Sequence, residues 1–434
     1  MTLSDALDQI IKKHSENIVQ GLQILPSLKY GVPKALGNKR WTADLILTTY
    51  EQAHTGYPPT SGLEYRVGQS NGGFDLLDFK TENDPQAQED DLRIDLSIPL
   101  NQRNGPQIVI PIPVYGGGMS LGSVSLNFML SRAIAAKKIN TFTSTGEGGY
   151  PPALVRFKDH VITQVATGLF GVREETIQYA RIVEFKYAQG AKPGLGGHLL
   201  ADKVTSMVAK MRESVPFTTL YSPFPFHSVY SVEDHKKHVD WIKSINPQAL
   251  VSVKVSTPKD IDMVAIGSYF AGANIIHIDG AYGGTGAAPE IAKKNIAMPV
   301  EYAIPIVHKY LESEGVRDEI VLIASGGIRT AYDVAKAIAL GADGCVIGTA
   351  EAIAVGCTHC GNCERGRGCQ IGITTTDPEL SLLINPEWGA QRLINLYHSW
   401  TIQWRQILLA LGLRSIRELR GRKDLLMYSG AGNE

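Results

Sequence analysis

From about residue 108 onward, short apolar runs alternate with helical stretches, and this alternation restricts the fold more than any other feature. Eight such runs occur, at residues 108–115, 141–144, 183–187, 218–221, 251–255, 275–278, 320–324 and 344–347. They are almost continuously apolar, as parallel strands buried on both faces are. Eight strand–helix units over about 260 residues match the number and size of a (β/α)8 barrel. A doubly wound sheet is the alternative, but no G-x-G-x-x-G motif leads the units.

The rest of the 434 residues is arranged around that core. Residues 1–105 predict an irregular, partly helical N-terminal extension that packs on the barrel. Residues 106–376 predict the barrel itself, and residues 377–434 a helical C-terminal extension that includes a long amphipathic helix at 388–411. The fold class is therefore α/β, a TIM barrel with an extension at each end.

Charge and hydropathy exclude two classes of protein. The chain has 42 basic and 43 acidic residues and a formal charge of −1, which disfavours nucleic-acid binding. The longest weakly charged run, residues 337–357, contains Asp343 and Glu351 and so predicts no membrane span. No secretory signal is recognisable, and we expect a cytoplasmic protein that acts on small molecules.

Six glycine-rich loops follow predicted strands, at residues 116–122, 145–149, 189–197, 279–289, 325–330 and 348–349. In barrel enzymes the active site lies on such loops, and glycine lets backbone N–H groups approach a ligand closely. The last two loops have the position of a barrel phosphate site, with Arg329 as a nearby charge. Their predicted donors are Gly326, Gly327, Gly348 and Thr349. Tight turns alone are the alternative explanation for any one loop.

Three charged residues lie in apolar or glycine-rich surroundings. Lys254 interrupts an apolar strand, which predicts either a cofactor contact or a structural ion pair, because an unpaired buried ammonium is costly. Glu147 and Lys192 lie in glycine-rich loops that follow neighbouring predicted strands. A lysine there is suited to bind a substrate carboxylate, and the pair is suited to transfer a proton. Ordinary surface charges are the alternative.

Four cysteines lie within thirteen residues, in the pattern Cys357-x2-Cys360-x2-Cys363-x5-Cys369. This density favours an iron–sulfur cluster over zinc, which prefers two separated Cys-x2-Cys pairs, and over free thiols. Because the cysteines follow the last predicted strand, we expect the cluster beside the phosphate loops. Cys345, inside that strand, predicts a small core residue.

Together these loops resemble the FMN-binding synthase domain of glutamate synthase. The motifs that carry the resemblance are Gly118-Met-Ser-Leu-Gly, Thr145-Gly-Glu-Gly-Gly, Gln189-Gly-Ala-Lys-Pro-Gly, Val251-Ser-Val-Lys, Gly283-Gly-Thr-Gly-Ala-Ala-Pro, Ser325-Gly-Gly-Ile-Arg-Thr and Gly356-Cys…Cys369-Gln-Ile-Gly-Ile. They extend over about residues 70–425, and the tail is similar to the archaeal-type branch, in which this domain stands alone. The resemblance implies a barrel that binds FMN beside a 3Fe–4S cluster. It also implies that reduced flavin delivers hydride to 2-iminoglutarate, formed from 2-oxoglutarate and ammonia.

The same resemblance implies roles for single residues. Lys192 and Glu147 match the catalytic positions, and substrate contacts are expected from Lys192, Gln189 and His198. The matching FMN positions are Gly118, Met119, Ser120, Gln189, Lys254, Gly284, Thr285, Gly326, Gly327, Arg329, Gly348 and Thr349. The matching cluster ligands are Cys357, Cys363 and Cys369, with Cys360 in addition. The additional cysteine keeps a 4Fe–4S cluster as an alternative.

Two departures from the family pattern bear on the substrate. Leu169 stands where the family usually has an arginine, and Phe226 replaces a polar residue. A second candidate is therefore the FMN subunit of N-methylglutamate synthase, a methylamine–glutamate N-methyltransferase. A third is a non-catalytic subunit that relays electrons or serves as a scaffold.

The resemblance also implies partners. The sequence has neither an N-terminal cysteine nucleophile with a glutaminase-sized region nor an NAD(P)H/FAD module. We therefore expect ammonia to arrive free or from an amidotransferase subunit of the glutaminase type. Electrons are expected from a ferredoxin-like protein or an FAD/NAD(P)H subunit, so the functional unit is expected to be a hetero-oligomer.

Overall fold

The structure is a computed structural model that describes residues 37–38, 40–60, 73–81, 93–193, 196–222, 226–284, 288–365 and 369–428. Its strands are β1 (Leu77–Phe79), β2 (Ile98–Pro99), β3 (Val109–Ile110), β4 (Val114–Gly116), β5 (Thr143–Ser144), β6 (Val161–Ala166), β7 (Ile182–Lys186), β8 (Gly197–Leu199), β9 (Leu220–Ser222), β10 (Leu250–Ser256), β11 (Ile275–Asp279), β12 (Val321–Ser325), β13 (Gly344–Ile347) and β14 (Leu426–Tyr428). The α-helices are Ala43–Thr55, Leu126–Ile139, Glu174–Gln178, Ser206–Arg212, Val232–Ile245, Ile261–Phe270, Glu290–Asn295, Val300–Ser313, Ala331–Leu340, Thr349–Ala354, Pro378–Ser381 and Pro386–Ala410. Short 3-10 segments lie at Gly73–Leu76, Pro152–His160, Ala201–Lys203, Arg317–Glu319, Asn362–Arg365, Ile416–Leu419 and Lys423–Leu425. Within the ranges described, none of the helices has the length and apolar character needed to span a bilayer.

Eight parallel strands form a barrel, as the sequence predicts. Their order is β4-β13-β12-β11-β10-β7-β6-β5, and every pairing within this sheet is parallel. The two end strands approach each other through a parallel bridge between Gly118 and Ser144 and a 2.8 Å hydrogen bond from Gly116 N to Phe142 O. The barrel prediction is confirmed, and the carboxyl ends of all eight strands face one side.

One of the predicted strands is not part of the barrel. The run at 218–221 overlaps β9, which pairs antiparallel with β8 in a separate ribbon. The third barrel strand is β6, whose six residues are all buried. The prediction missed β6 because Thr163 and Gln164 interrupt its apolar run. It placed 218–221 in the barrel because a short β-branched segment has the same pattern in an outer ribbon as in a barrel strand.

The first predicted strand, 108–115, is two strands. Val109–Ile110 pairs antiparallel with β2, and only Val114–Gly116 belongs to the barrel. Pro111 and Pro113 separate them, because proline has no N–H for a ladder of backbone hydrogen bonds.

Polar caps start most of the longer helices where the sequence has serine, threonine or asparagine. Ser125 accepts from Phe128 N, Thr330 accepts from Asp333 N, and Asn385 accepts from Glu387 N. These bonds satisfy backbone donors that have no partner inside the helix. They also set the direction in which each helix leaves its loop.

The two extensions pack on each other as well as on the barrel. The predicted C-terminal helix is Pro386–Ala410, in which Trp400 and Trp404 are almost fully buried. Trp404 Nε1 donates to Ala331 O at 2.9 Å, at the start of a barrel helix. Strand β1 from the N-terminal extension pairs antiparallel with β14 near the other end of the chain. The boundaries at residues 105 and 376 stay predictions.

Candidate active site

A polar pocket opens at the carboxyl ends of the barrel strands. It is lined by Gly118, Ser120, Ser123, Gly146, Glu147, Gln164, Phe170, Lys186, Gln189, Lys192, Gly197, His198, Leu199, Arg212, Leu220, Ser222 and Gly284. The β8–β9 ribbon passes over one side, so close that a Cβ on Gly197 would collide with the carboxylate of Glu147. A larger cavity of about 400 Å³ lies near the amino ends of the strands, around Ile98 and Arg417. We place the chemistry in the first pocket, because the buried cations and the glycine loops converge there.

Glu147 and Lys192 both line this pocket, and Lys186 is a third charged residue there. Lys186 Nζ, on the last residue of β7, is 3.0 Å from Glu147 Oε1. Lys192 is 6% exposed, and burial and the Lys186 ammonium lower its pKa, whereas Glu147 acts in the opposite direction. Two lysines beside one carboxylate leave the pocket with an excess positive charge that suits an anionic ligand. Sequence reasoning missed Lys186, although the signal that found Lys254, a lysine in an apolar strand, applies to it equally.

Arg212 adds another cation to the pocket. Its Nη2 donates to Ser120 Oγ at 2.9 Å and to Leu121 O at 3.1 Å. Its Nε is buried and has no hydrogen-bond partner within the part of the chain that the structure describes. A buried guanidinium N–H without a partner is a binding group for a carboxylate. Prediction missed Arg212 because it lies in an ordinary amphipathic helix, where arginine is common.

A chain of buried polar side chains runs through the barrel below the pocket. Glu184 accepts from Gln164 Nε2 at 2.7 Å and lies 2.9 Å from His277 Nδ1. His277 Nε2 lies 2.7 Å from Ser325 Oγ, and Ser325 Oγ donates to Asp279. The chain crosses four strands and fixes these side chains in one arrangement.

The charges of that chain are balanced locally. Burial acts to raise the pKa of Glu184, but the His277 ring and Lys254 outweigh it and hold the pKa at about 2. Burial likewise acts to raise the pKa of Asp279, and Lys254, at 3.3 Å, contributes most to the net lowering. The ion-pair interpretation of Lys254 is therefore confirmed, while its contact with a cofactor stays a prediction. The sequence analysis located the strands that carry Glu184, His277 and Asp279, but it did not identify these three side chains as part of the site.

The predicted site residues divide into three groups. Those that line the pocket are Gly118, Ser120, Glu147, Gln189, Lys192, His198 and Gly284. Those elsewhere at the barrel mouth are Met119, Lys254, Gly326, Gly327, Arg329, Gly348 and Thr349, and Met119 packs against the hydrophobic core. Thr285 lies outside the described residues. Gly326 and Gly327 have φ of 95° and 82°, a left-handed backbone that favours glycine.

Arg329 is held in an ion-pair network rather than open to the pocket. Its Nη2 is 2.6 Å from Asp75 Oδ1, and its Nε is 2.8 Å from Asp333 Oδ2. Its Nη1 donates to Arg40 O at 3.0 Å. Arg329 therefore joins the N-terminal extension to the loop after β12, and its predicted role as a cofactor ligand stays a prediction.

The cysteine segment follows the last barrel strand and the helix Thr349–Ala354. Burial raises the pKa of Cys357, and the thiols of Cys369, Cys363 and Cys360 raise it further. Across the described ranges, no three cysteine, histidine, aspartate or glutamate side chains are arranged closely enough to bind a metal ion. Residues 366–368 of the segment lie outside those ranges, and the iron–sulfur site stays a prediction. Cys345 is fully buried, which confirms it as a core residue.

Comparison with known proteins identifies the family. The conserved region of glutamate synthase matches residues 66–414. The chain belongs to the glutamate synthase family. An archaeal-type glutamate synthase (NADPH) of Thermotoga sp. (strain RQ2) is 42% identical over 352 residues, which are 81% of this chain and 69% of the relative. That of Dehalococcoides mccartyi is 38% identical over 415 residues, 92% of this chain and 83% of the relative.

More distant similarities agree with this assignment. The glutamate synthase (NADPH) large chain of Azospirillum brasilense is 38% identical over 327 residues, which are 73% of this chain but 21% of that protein. A solved structure named lactate oxidase, from Pediococcus acidilactici, aligns over 97% of this chain and 94% of its own with a TM-score of 0.51 and 12% identity, which concerns the fold alone. The resemblance seen in the sequence is confirmed, with an oxidoreductase of the glutamate synthase type as the functional class. Neither of the two other candidate functions is needed.

The two departures from the glutamate synthase pattern have different structural consequences. Leu169 is 56% exposed, with φ of 49°, in the loop after β6 and next to Phe170 of the pocket. Arg212 lies on the Phe170 ring, 5.6 Å from its centroid, so a cation is present at this side of the pocket despite Leu169. Phe226 is 3% exposed and packs on Tyr187, with ring centroids 4.8 Å apart, in a cluster of buried apolar side chains. It does not line the pocket.

Proposed function

We propose that this chain catalyses the reductive step of glutamate synthesis. The substrate is 2-iminoglutarate, formed from 2-oxoglutarate and ammonia, and the product is glutamate. The observation that carries the proposal is the buried cationic pocket, in which Lys192 and Arg212 face a carboxylate held by Lys186. A dicarboxylate with a reactive carbon between charged ends complements this arrangement of groups.

FMN is the proposed cofactor, and the residues at the barrel mouth fit it. Ser256 Oγ, on the last residue of β10, is buried and has no hydrogen-bond partner among the residues described. The left-handed glycines Gly326 and Gly327 lie in the loop where the sequence predicts the phosphate. The remaining proposed FMN contacts are Gly118, Met119, Ser120, Gln189, Lys254, Gly284, Thr285, Arg329, Gly348 and Thr349. When bound and reduced by two electrons, the flavin would supply hydride for the imine carbon and be reoxidised to FMN.

The protein residues orient the substrate and move the proton. Lys192 and Arg212 bind the carboxylates of the oxo acid through charge-assisted hydrogen bonds. Glu147, oriented by Lys186 at 3.0 Å, is placed to exchange a proton with the substrate nitrogen or oxygen. The β8–β9 ribbon, which carries His198, covers one side of the pocket and limits the access of water there.

We further propose that Cys357, Cys363 and Cys369 hold a 3Fe–4S cluster that passes electrons to the flavin. Cys360 is the additional thiol that a 4Fe–4S cluster would use. Three or four thiolates at this spacing are the ligand set of such clusters. Ammonia then comes free or from a glutaminase-type amidotransferase subunit, and electrons from a ferredoxin-like protein or an FAD/NAD(P)H subunit. The names of the archaeal-type relatives specify NADPH, which favours the second donor. The expected cytoplasmic location stays a prediction.

Glutamate formation tests the proposed function directly. The purified chain is supplied with 2-oxoglutarate, ammonium and a chemically reduced flavin, and glutamate is measured. Lys192→Gln should lower kcat/KM for 2-oxoglutarate about 10- to 100-fold, because it removes one charge-assisted hydrogen bond. Lys210→Gln, at an exposed position on the helix Ser206–Arg212, is the matched control and should leave kcat/KM unchanged. No glutamate from the wild-type chain, or equal kcat/KM in the two variants, would contradict the proposal.

A further inference from the structure

A short turn of the N-terminal extension lies against the loop that follows β12. Asn38 N donates to Trp41 O at 2.7 Å, and Asn38 Oδ1 accepts from the backbone N–H groups of Arg40 and Trp41, both at 2.9 Å. Gly37, with φ of 75°, enters the turn, and Trp41 is 5% exposed. The turn therefore fixes the direction in which the Arg40 side chain leaves the backbone.

That side chain lies on the predicted phosphate loop. Arg40 Nη2 donates to Gly327 O at 3.4 Å, near the upper limit for a hydrogen bond. A Cβ on Gly327 would collide with the same nitrogen, so glycine is needed for this approach. The guanidinium carbon lies 4.3 Å from the centroid of the Tyr282 ring, in the loop after β11. Arg40 O accepts from Arg329, so its main chain is held on this loop as well.

Arg40 is the cation that the neighbouring network does not neutralise. Arg329 pairs with Asp75 and Asp333, and Lys336, whose Nζ donates to Phe74 O at 3.0 Å, lies in the field of the same carboxylates. Two buried cations and two buried carboxylates thus balance each other. No described residue places a carboxylate oxygen within 4 Å of the Arg40 guanidinium. Glu301 is the further acidic group in electrostatic range, and burial raises the pKa of its carboxyl.

We propose that Arg40 binds the phosphate group of FMN, so that the N-terminal extension completes the cofactor site of the barrel. A phosphate monoester is a dianion, and the planar guanidinium suits two of its oxygens at once. The contact with Gly327 O is long enough to give way to a phosphate oxygen, while the Tyr282 ring keeps the guanidinium in position. This inference rests on the proposed flavin site. It gives to Arg40 the role of the positive charge beside the phosphate, which the sequence analysis expects from Arg329.

The test separates the phosphate from the flavin ring. Full-length chain, stripped of flavin, is titrated with FMN and with riboflavin, which lacks the phosphate, and binding is followed by flavin fluorescence. Arg40→Ala should weaken FMN binding about 10- to 100-fold, the value of one or two charge-assisted hydrogen bonds, and leave riboflavin binding unchanged. Arg40→Lys, which keeps the charge without the planar fork, should retain part of the FMN preference.

A matched control is available in Arg103. It also lies on a tyrosine ring, 3.9 Å from the Tyr269 centroid, and donates to a backbone oxygen at 3.1 Å, but in a part of the barrel away from these loops. Arg103→Ala should bind both flavins like the wild type. Equal losses for FMN and riboflavin in Arg40→Ala would show a structural role and overturn the proposal, as would unchanged FMN binding. A wild-type chain that binds neither flavin would instead overturn the proposed function, and this inference with it.

Discussion

A buried ion pair between Asp75 and Arg329 links the N-terminal extension to the barrel. Asp75 lies in the 3-10 segment Gly73–Leu76, and Arg329 follows β12. Their side chains are 2% exposed, and Asp75 Oδ1 lies 2.6 Å from Arg329 Nη2. Asp75→Ala removes one of the two carboxylates of Arg329 and leaves Asp333, at 2.8 Å, as the other.

The expected loss follows from burial. Removing one partner of a buried ion pair costs about 3–5 kcal/mol, because the remaining charge is left without compensation. Since Asp333 still compensates part of the Arg329 charge, we expect the lower end, about 3 kcal/mol of unfolding free energy. Asp95→Ala is the matched control. Its partner Arg417 lies at 3.0 Å, but the two side chains are 42% and 58% exposed, and such a surface pair contributes about 0–1 kcal/mol.

Urea unfolding of the two variants at equal flavin content, at low and at high salt, measures the difference. High salt should remove most of the small effect of Asp95→Ala and little of the effect of Asp75→Ala, because ions screen exposed charges far more than buried ones. Unfolding free energies that differ by less than about 1 kcal/mol between the variants would refute this reasoning. Such a result would mean that the extension does not depend on the buried pair for its position on the loop after β12.

Two further predictions concern titrating groups of the barrel. His277 and Lys254 hold the pKa of Glu184 at about 2 against the effect of burial, so its contribution, on the order of 3 kcal/mol, is present above about pH 5 and is lost as the pH falls toward 2. In Glu184→Gln the urea midpoint should vary less with pH over this range, and an unchanged acid slope would contradict the assignment. Burial and then the Lys186 charge lower the pKa of Lys192, so Lys186→Gln should raise it. The rise in KM for 2-oxoglutarate at alkaline pH should then begin at a higher pH than in the wild type. A rise in KM that begins at a lower pH would contradict this electrostatic explanation.

The barrel was predictable because its signal is local. A strand buried on both faces must be apolar along its whole length, and seven of the eight predicted runs overlap barrel strands. The failure to predict β6 has a physical cause. Gln164 faces the barrel interior, where it donates to Glu184, and Thr163 is a second buried polar residue of the same strand, so β6 is buried without being apolar. Burial among polar partners leaves no trace in the hydropathy of a single strand.

The site was predictable to the extent that a residue contrasts with its neighbours. Glu147 and Lys192 contrast with glycine-rich loops and were found. Arg212 resembles any other helix arginine, and only its position beside Ser120 makes it part of the pocket. The motif that contains Arg329 likewise does not reveal that its side chain is engaged by Asp75, about 250 positions earlier in the chain.

By itself, the sequence determined the fold class, the family, the six glycine loops and the charged side chains that stand out from their surroundings. These depend on the period of apolar residues, on the backbone freedom of glycine and on charges in uncharged segments, all of which are local properties. Tertiary structure alone decided which cations neutralise which carboxylates. Lys186 pairs with Glu147, Arg329 pairs with Asp75, and Arg40 places its charge on the loop after β12. Coulomb interactions depend on distance in space, and the two pairs just named join residues that lie tens to hundreds of positions apart along the chain.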